Sequence, residues 1–290
     1  VDVVAPTIEI TNEASGNATT TLAKVGDTIT ANFTSTDPVT SVTIGGHAAQ
    51  LTLVNAVTGT YTATYVVASG DNAIATDVVV TSRDTAGNTT TETLSGRVTV
   101  DTVAPTATIT LSDDALRIGD TSTVTITFSE AVSGFSLSDL TANNGTLSNL
   151  SSATVNANGT VTYTATFTPN SNIEDTTNVV SLTTGYTDTV GNTGTTAESA
   201  NYTIDTLAPT ATITVNTVTS DNVINQSELA AGNVPVTGTV GGDVKVGDIV
   251  TLTINGHTYV GGVTANLAGE LTYSIDVLAS DLVADENVTA

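Results

Sequence analysis

Thr160-Val161-Thr162-Tyr163-Thr164-Ala165-Thr166-Phe167 alternates a hydroxyl-bearing residue with an apolar one along its whole length. A period of two puts Val161, Tyr163, Ala165 and Phe167 on one face of an extended chain and the threonines on the other. Threonine suits the outward positions because its branched β-carbon fits a pleated surface. Thr123-Val124-Thr125-Ile126-Thr127-Phe128 repeats the pattern, and turn pairs such as Gly26-Asp27, Gly45-Gly46, Gly119-Asp120, Asn144-Gly145, Asn158-Gly159 and Asn255-Gly256 stand between such stretches. Only Asn225 to Ala231 invites a helical reading, of one or two turns. The class is therefore all-β.

Strand centres near Ile8, Ile29, Val42, Leu51, Tyr61, Val79 and Thr93 fill the first hundred residues with short connections. That density predicts an immunoglobulin-like β-sandwich. The unit recurs, because Val1-Asp2-Val3-Val4-Ala5-Pro6-Thr7 returns as Val100-Asp101-Thr102-Val103-Ala104-Pro105-Thr106 and as Ile204-Asp205-Thr206-Leu207-Ala208-Pro209-Thr210. Asp2 to Asp101 is 99 residues and Asp101 to Asp205 is 104, the size of a small domain rather than of a solenoid turn. Three tandem sandwiches are expected, over 1–100, 101–204 and 205–290. With an odd number of antiparallel strands the chain enters a sandwich at one pole and leaves at the other, so the domains are expected end to end as a rod. The third region departs from its neighbours, with Val234 to Val240, Lys245-Val246-Gly247-Asp248 and a hairpin at Ile254 to His257. It carries 86 residues from its linker aspartate to Ala290 and has no Asp-x-x-Gly-Asn, so it is expected to lack its last two strands.

Composition narrows the function. The 290 residues carry five Lys and Arg against 29 Asp and Glu, a formal charge of −24. Such a chain repels phosphate backbones and lacks the counterion-release term on which nucleic-acid binders depend. The charge is spread evenly, at −6 for 1–100, −9 for 101–204 and −9 for 205–290. No apolar run is long enough to span a membrane. There is no Cys, which removes disulfides and leaves a metal or a neighbouring domain as the supplement for a small core. No Met is present even at position 1, so a piece of a longer polypeptide is expected, monomeric and flanked by neighbouring domains of the same chain.

The seven-strand topology assigns loops to poles. The entry linker, the loop after the second strand and the loop between the last two strands share one pole. In the first domain these hold Asp2, Asp37 and Asp84, and in the second Asp101, Glu130 and Asp188. Asn88 to Asp101 and Asn192 to Asp205 are both 13 residues, so the Asp-x-x-Gly-Asn turns at 84–88 and 188–192 are equivalent. Three converging carboxylates repel one another without a counter-ion, and hard oxygen donors without His or Cys point to Ca²⁺. The preceding domain's exit pole is expected to add oxygens, with Asp27 and Asp71 facing Asp101, and Asp120, Glu174 and Asp175 facing Asp205. A competing reading makes Asp-x-x-Gly-Asn only a good turn, in which Asp caps backbone donors. Asp221, Asn225, Glu228, Asp281, Asp285 and Glu286 gather at the third domain's exit pole, as a further calcium site or as solvated loop acids.

The linker Asp-Thr-x-Ala-Pro-Thr, the Asp-x-x-Gly-Asn turn and Phe128-Ser129-Glu130-Ala131-Val132-Ser133-Gly134-Phe135 resemble bacterial immunoglobulin-like repeats of giant surface adhesins. Asp221 to Asn225, Thr237 to Asp243, Ser274 to Val277 and Ser280 to Asp285 are more specifically similar to extender repeats of RTX adhesins from Gram-negative bacteria. The resemblance implies type I secretion, anchoring at the outer membrane and a calcium-stiffened stalk that holds ligand-binding domains away from the cell for adhesion or biofilm formation. It implies Ca²⁺ at the linker residues Asp2, Asp101 and Asp205 and, by the turn motif, at Asp84 and Asp188. The Gly-Gly-x-Gly-x-Asp nonapeptides of that family's C-terminal part are absent.

An enzyme is not expected. The two histidines, His47 and His257, each follow a Gly at a hairpin tip, and no nucleophile with a base can be assembled. The alternative to a spacer is a ligand-binding adhesin module for sugar, ice or another cell, on a flat face of outward threonines such as 121 to 127.

Overall fold

The computed structural model describes residues 1–72 and 75–284, and the expected acids Asp285 and Glu286 lie outside them. Two compact units divide the chain, Val1–Thr206 and Leu207–Ala290.

The first unit contains two sandwiches. In the first, Ile8–Ser15, Thr28–Ser35, Thr60–Val66 and Gln50–Asn55 form one antiparallel sheet in that spatial order. His47–Ala48, Val39–Ile44, Asp77–Arg83 and Thr89–Ser95 form the other. Each of the seven expected strand centres falls inside one of these strands. Alternation does the work: along Thr28–Ser35 every second residue is buried, so Ile29, Ala31 and Phe33 meet Val42, Ile44, Val78 and Val80 of the facing sheet. A parallel pair that sequence reading did not anticipate, Leu22–Ala23 with Thr99–Val100, closes the exit end of this core with Ala23 and Val100.

The second sandwich follows the same plan. Ala107–Leu111, Ser122–Phe128, Val161–Pro169 and Gly145–Ser148 make one sheet, and Thr154–Val155 also pairs with Val161–Pro169. The facing layer is broken into short ladders, of which Leu140–Ala142 with Val180–Leu182 and Ala115–Arg117 with Tyr202–Asp205 carry the core. Four of its aromatic residues gather at one place: Phe128 lies edge-on to Phe135 and to Tyr186, each with ring centroids 4.9 Å apart, and Tyr163 stands edge-on to both phenylalanines.

The second unit has a sheet of Ala211–Ile213, Asn233–Gly242, Leu271–Leu278 and Thr264–Ala265. The hairpin Ile249–Ile254 with His257–Gly262 lays Leu252 and Ile254 into a core with Val236, Tyr273, Ile275 and Val277. The expected helix spans Gln226–Ala231, and Asn225 caps it by accepting from Ser227 and Glu228 N–H while the Glu228 carboxylate accepts from Asn225 N–H. A second helix, Ala279–Ala284, has no counterpart in the sequence reading. No helix among the described residues is long and apolar enough to cross a membrane.

Candidate metal site at a repeat junction

Three local structures bring acids together where the first sandwich passes into the second. The first is the end of the parallel pair: Val100 lies opposite Ala23, and Asp101 N–H donates to the Ala23 carbonyl at 2.9 Å, so Asp101 leaves the first sandwich held by its backbone. The second is the loop Ser129-Glu130-Ala131, tied to the linker by reciprocal bonds, Ser129 N–H to the Thr106 carbonyl and Thr106 N–H to Ser129 Oγ. The third is the turn 188–192, which starts from the short ladder Val132–Ser133 with Thr187–Asp188. That ladder sets Val132 opposite Asp188 and so brings Glu130 beside the turn.

One carboxylate oxygen from each of Asp101, Glu130 and Asp188 lies within 4.8 Å of the others, the one such group of three among the described residues. Burial pushes the Glu130 carboxyl above its ordinary range, and the charges of Asp101 and Asp188 push it further. Asp188 is buried and heavily bonded. Its Oδ1 accepts from the N–H groups of Val190, Gly191 and Asn192 at 2.7 to 2.9 Å, and its Oδ2 accepts from Asn192 Nδ2 at 2.7 Å. The chain reverses at Gly191, whose φ of +97° suits glycine. Asn192 Nδ2 also donates to the Asp101 carbonyl at 3.0 Å, which fixes the linker to the turn. The turn reading and the site reading of Asp-x-x-Gly-Asn thus describe the same residues: capping makes the loop rigid, and rigidity holds a carboxylate near two others. The donor set is all oxygen and doubly or triply anionic, which fits a hard divalent cation and no thiolate- or imidazole-bound metal.

At the entry of the first sandwich the frame recurs. Asp84 Oδ1 accepts from Gly87 and Asn88 N–H, Asn88 Nδ2 holds Asp84 Oδ2 at 2.7 Å and reaches the Asp2 carbonyl at 3.3 Å, and Thr7 and Thr36 exchange the linker-to-loop bonds. The Asn88 side chain, helped by the backbone donors, holds the Asp84 carboxyl below its ordinary range. The acid side chains do not converge to the same distance here. Asp2 Oδ1 accepts from its own Val4 N–H, and Asp37 Oδ2 accepts from Thr36 Oγ.

The remaining acids join no group of three among the described residues. Asp27 Oδ2 accepts from Lys24 N–H and Asn17 Nδ2, and Asp120 Oδ2 from Arg117 N–H. Asp205 ends a strand between Arg117 and Glu174. Asp175 takes the amides of Thr177 and Asn144. Asp221 Oδ1 closes a turn by accepting from Val223 N–H and Thr219 Oγ. Asp71 accepts from Tyr65 Oη at 2.5 Å and lies 3.3 Å from His47 Nε2, and Asp281 receives His257 Nδ1 at 2.8 Å and the Tyr259 hydroxyl. Both histidines are thus tied to an aspartate and a tyrosine of their own domain.

Sequence reading missed two residues at the junction. Lys24 Nζ donates to the Gly191 carbonyl at 2.7 Å, and Asn17 Nδ2 to the Val190 carbonyl at 3.0 Å, both from the first sandwich to the turn of the second.

Residues 101–204 match a family described as bacterial Ig-like domain. Among solved structures, a Ca²⁺-stabilized adhesin with which an Antarctic bacterium binds ice is 34% identical, at a TM-score of 0.51 over 98% of this chain and 68% of that one. A 1.5-MDa bacterial ice-binding adhesin is 27% identical at a TM-score of 0.46, over 98% of this chain and 90% of that one. No curated protein matches the sequence.

Proposed function

Because the chain belongs to the bacterial immunoglobulin-like repeats of RTX-type adhesin extender regions, we propose that it is a calcium-stiffened spacer, a length of stalk that holds ligand-binding domains away from the cell. The observation that carries this reading is the convergence of Asp101, Glu130 and Asp188 where one repeat becomes the next. An anionic site built on residues from both sides of a linker couples the linker's freedom to ion occupancy. Asp101 comes with the exit strand of the first repeat, and Glu130 and Asp188 come from loops of the second. Ca²⁺ there would neutralise the mutual repulsion and hold the linker in one geometry, and it would stabilise only the folded form. The name of the 34%-identical relative, a Ca²⁺-stabilized adhesin, supports the choice of ion.

On this reading the protein is extracellular, outer-membrane anchored as part of a longer chain, and non-enzymatic, and its partners are the neighbouring repeats. Thermal unfolding with millimolar Ca²⁺ and with EDTA, alongside small-angle scattering in both, is the test. A higher melting temperature and a better-defined distance distribution in calcium are expected. Profiles that coincide in the two conditions overturn the stiffening.

A further inference from the structure

The chain has five basic residues, and three of them stand at the same place in three turns: Lys24-Val25-Gly26-Asp27, Arg117-Ile118-Gly119-Asp120 and Lys245-Val246-Gly247-Asp248. The three turns are built alike. In each the aspartate Oδ2 accepts from the basic residue's N–H at 2.8 to 2.9 Å, the aspartate N–H returns a bond to its carbonyl, and the glycine has a positive φ of 86° to 96°. The residue after the base is apolar and exposed each time, Val25 at 46%, Ile118 at 61% and Val246 at 63%. A chain with a charge of −24 that places three of its five cations at one recurrent turn is using those three for something other than solubility.

The turn's position says what for. In both sandwiches of the first unit the short strand that leads into it pairs in parallel with the strand that leaves the repeat, and Arg117 lies directly opposite the linker aspartate Asp205. The first repeat continues Leu22–Ala23 into Lys24 beside Asp101 in the same way. A basic residue and a linker aspartate therefore emerge side by side at the exit of a repeat. Where the following repeat is present in the same unit, the Lys24 ammonium meets the Gly191 carbonyl of its Asp-x-x-Gly-Asn turn, and Asn17, itself held by Asp27, meets the adjacent Val190 carbonyl. Val190 at the tip of that turn is 6% exposed, whereas Ala86, its counterpart in the first repeat's turn, is exposed.

We propose that the Lys24-Val25-Gly26-Asp27 turn is a docking element of the first repeat, whose partner is the pair of backbone carbonyls of Val190 and Gly191 on the Asp-x-x-Gly-Asn turn of the repeat that follows. The proposal rests on the stalk reading and adds a second device to it. The ion joins the linker to the turn from one side, and Lys24 with Asn17 join the preceding repeat to the same turn from its carbonyl edge. Because the partner is backbone carbonyl, the contact selects the shape of the turn and tolerates changes in its side chains, which suits an array of unlike repeats. One ammonium-to-carbonyl bond is too weak to recruit a separate molecule and acts only between tethered neighbours, where the effective concentration is high.

Since the chain has no cysteine, Ala56→Cys and Ser152→Cys place two spin labels, one on each sandwich of the first unit, in the full chain. Pulsed electron–electron distance measurements with saturating Ca²⁺ are expected to give a narrow distribution for the parent and for Lys24→Arg, and a broad one for Lys24→Met and for Asn17→Ala, with unchanged circular dichroism. A Lys24→Met distribution as narrow as the parent's overturns the docking role, and so does a broad parent distribution in calcium. The parent measured in EDTA separates the two ideas: a width that ignores chelation refutes stiffening by the ion, while the comparison of Lys24→Met with the parent still decides the docking turn.

Discussion

Replacing Glu130 by glutamine separates a metal site from a mere cluster of acids, because the two readings demand opposite signs. Glutamine keeps the shape and one carbonyl oxygen but removes one negative charge from three carboxylates with oxygens within 4.8 Å of one another. Two unit charges about 4 Å apart near a protein surface repel by about 4 kcal/mol, and solvent exposure with salt reduces this to about 1 kcal/mol. Without calcium the variant should therefore be more stable than the parent by about 1 kcal/mol, which for a unit of this size is about 2–4 °C in melting temperature. With calcium the order should reverse. An ion at a hundred times its dissociation constant adds about 2.7 kcal/mol to the folded form, about 5–10 °C on the same scale, and most of this is lost when an anionic ligand becomes a weak neutral one. Differential scanning calorimetry of parent and Glu130→Gln, each with EDTA and with millimolar Ca²⁺, gives the four numbers. If glutamine lowers the melting temperature equally in both conditions, Glu130 is structural; if it raises both equally, the acids are only repulsive and no ion binds among them.

Other residues give independent tests. Glu13 is buried, its Oε1 takes the Thr76 hydroxyl at 2.5 Å and its Oε2 has no hydrogen-bond partner among the described residues. Burial pushes this carboxyl up and Asp77 adds to it, while Thr76 and Arg97 oppose. The folded state therefore holds a proton that the unfolded state has released, so stability should fall as pH rises from about 4.5 through the raised value, with the full penalty above it. Glu13→Gln should remove that slope in pH-dependent urea unfolding and stabilise the first sandwich at pH 7 by on the order of 1 kcal/mol; a parent slope of the opposite sign refutes it. Gly191→Ala puts a side chain at φ +97°, with its Cβ 3.4 Å from Lys24 Nζ, and should cost about 1–2 kcal/mol and lower calcium affinity by calorimetric titration. Phe128→Ala, which empties a fully buried ring site flanked by Phe135 and Tyr186, should cost about 3–5 kcal/mol in the second sandwich and leave the calcium response of the remaining fold to be read separately by nuclear magnetic resonance.

The sandwich class was legible because a period of two needs no tertiary information: Ile29, Ala31 and Phe33 face inward whatever lies opposite. The poles were legible because turn residues fix where the chain reverses, and Asp-x-x-Gly-Asn forms in both places where it is written. Short parallel pairs were not, since Leu22–Ala23 and Ala115–Arg117 have two and three residues and are selected by a partner strand about eighty residues away. The helix Ala279–Ala284 was hidden for a related reason, because it follows directly on the strand Leu271–Leu278 without a turn signal. Convergence was the least legible step. Equal spacing predicts that Asp2, Asp37 and Asp84 should gather as Asp101, Glu130 and Asp188 do, yet side-chain direction decides. Glu130 has one methylene more than Asp37, and Asp37 spends its carboxylate on Thr36.

That difference bears on why a stalk would need two devices at a joint. Asp188 is fixed by its turn, whereas Glu130 reaches the site on a longer side chain, so an ion among the three acids constrains the distance between linker and turn more than their orientation. A lysine fixed to a backbone carbonyl on the far side of the same turn constrains orientation but contributes little to closure alone. Gly191 belongs to both constraints: its N–H caps Asp188 at 2.7 Å and its carbonyl receives Lys24 at 2.7 Å, so one peptide group connects the acid side of the joint to the basic side. Removing calcium should then release the distance constraint first and leave a joint that is loosened but still oriented by Lys24. Two stages of flexibility follow, one set by calcium and one by the Lys24 contact, and weakening that contact with high salt in the absence of calcium should uncover the second.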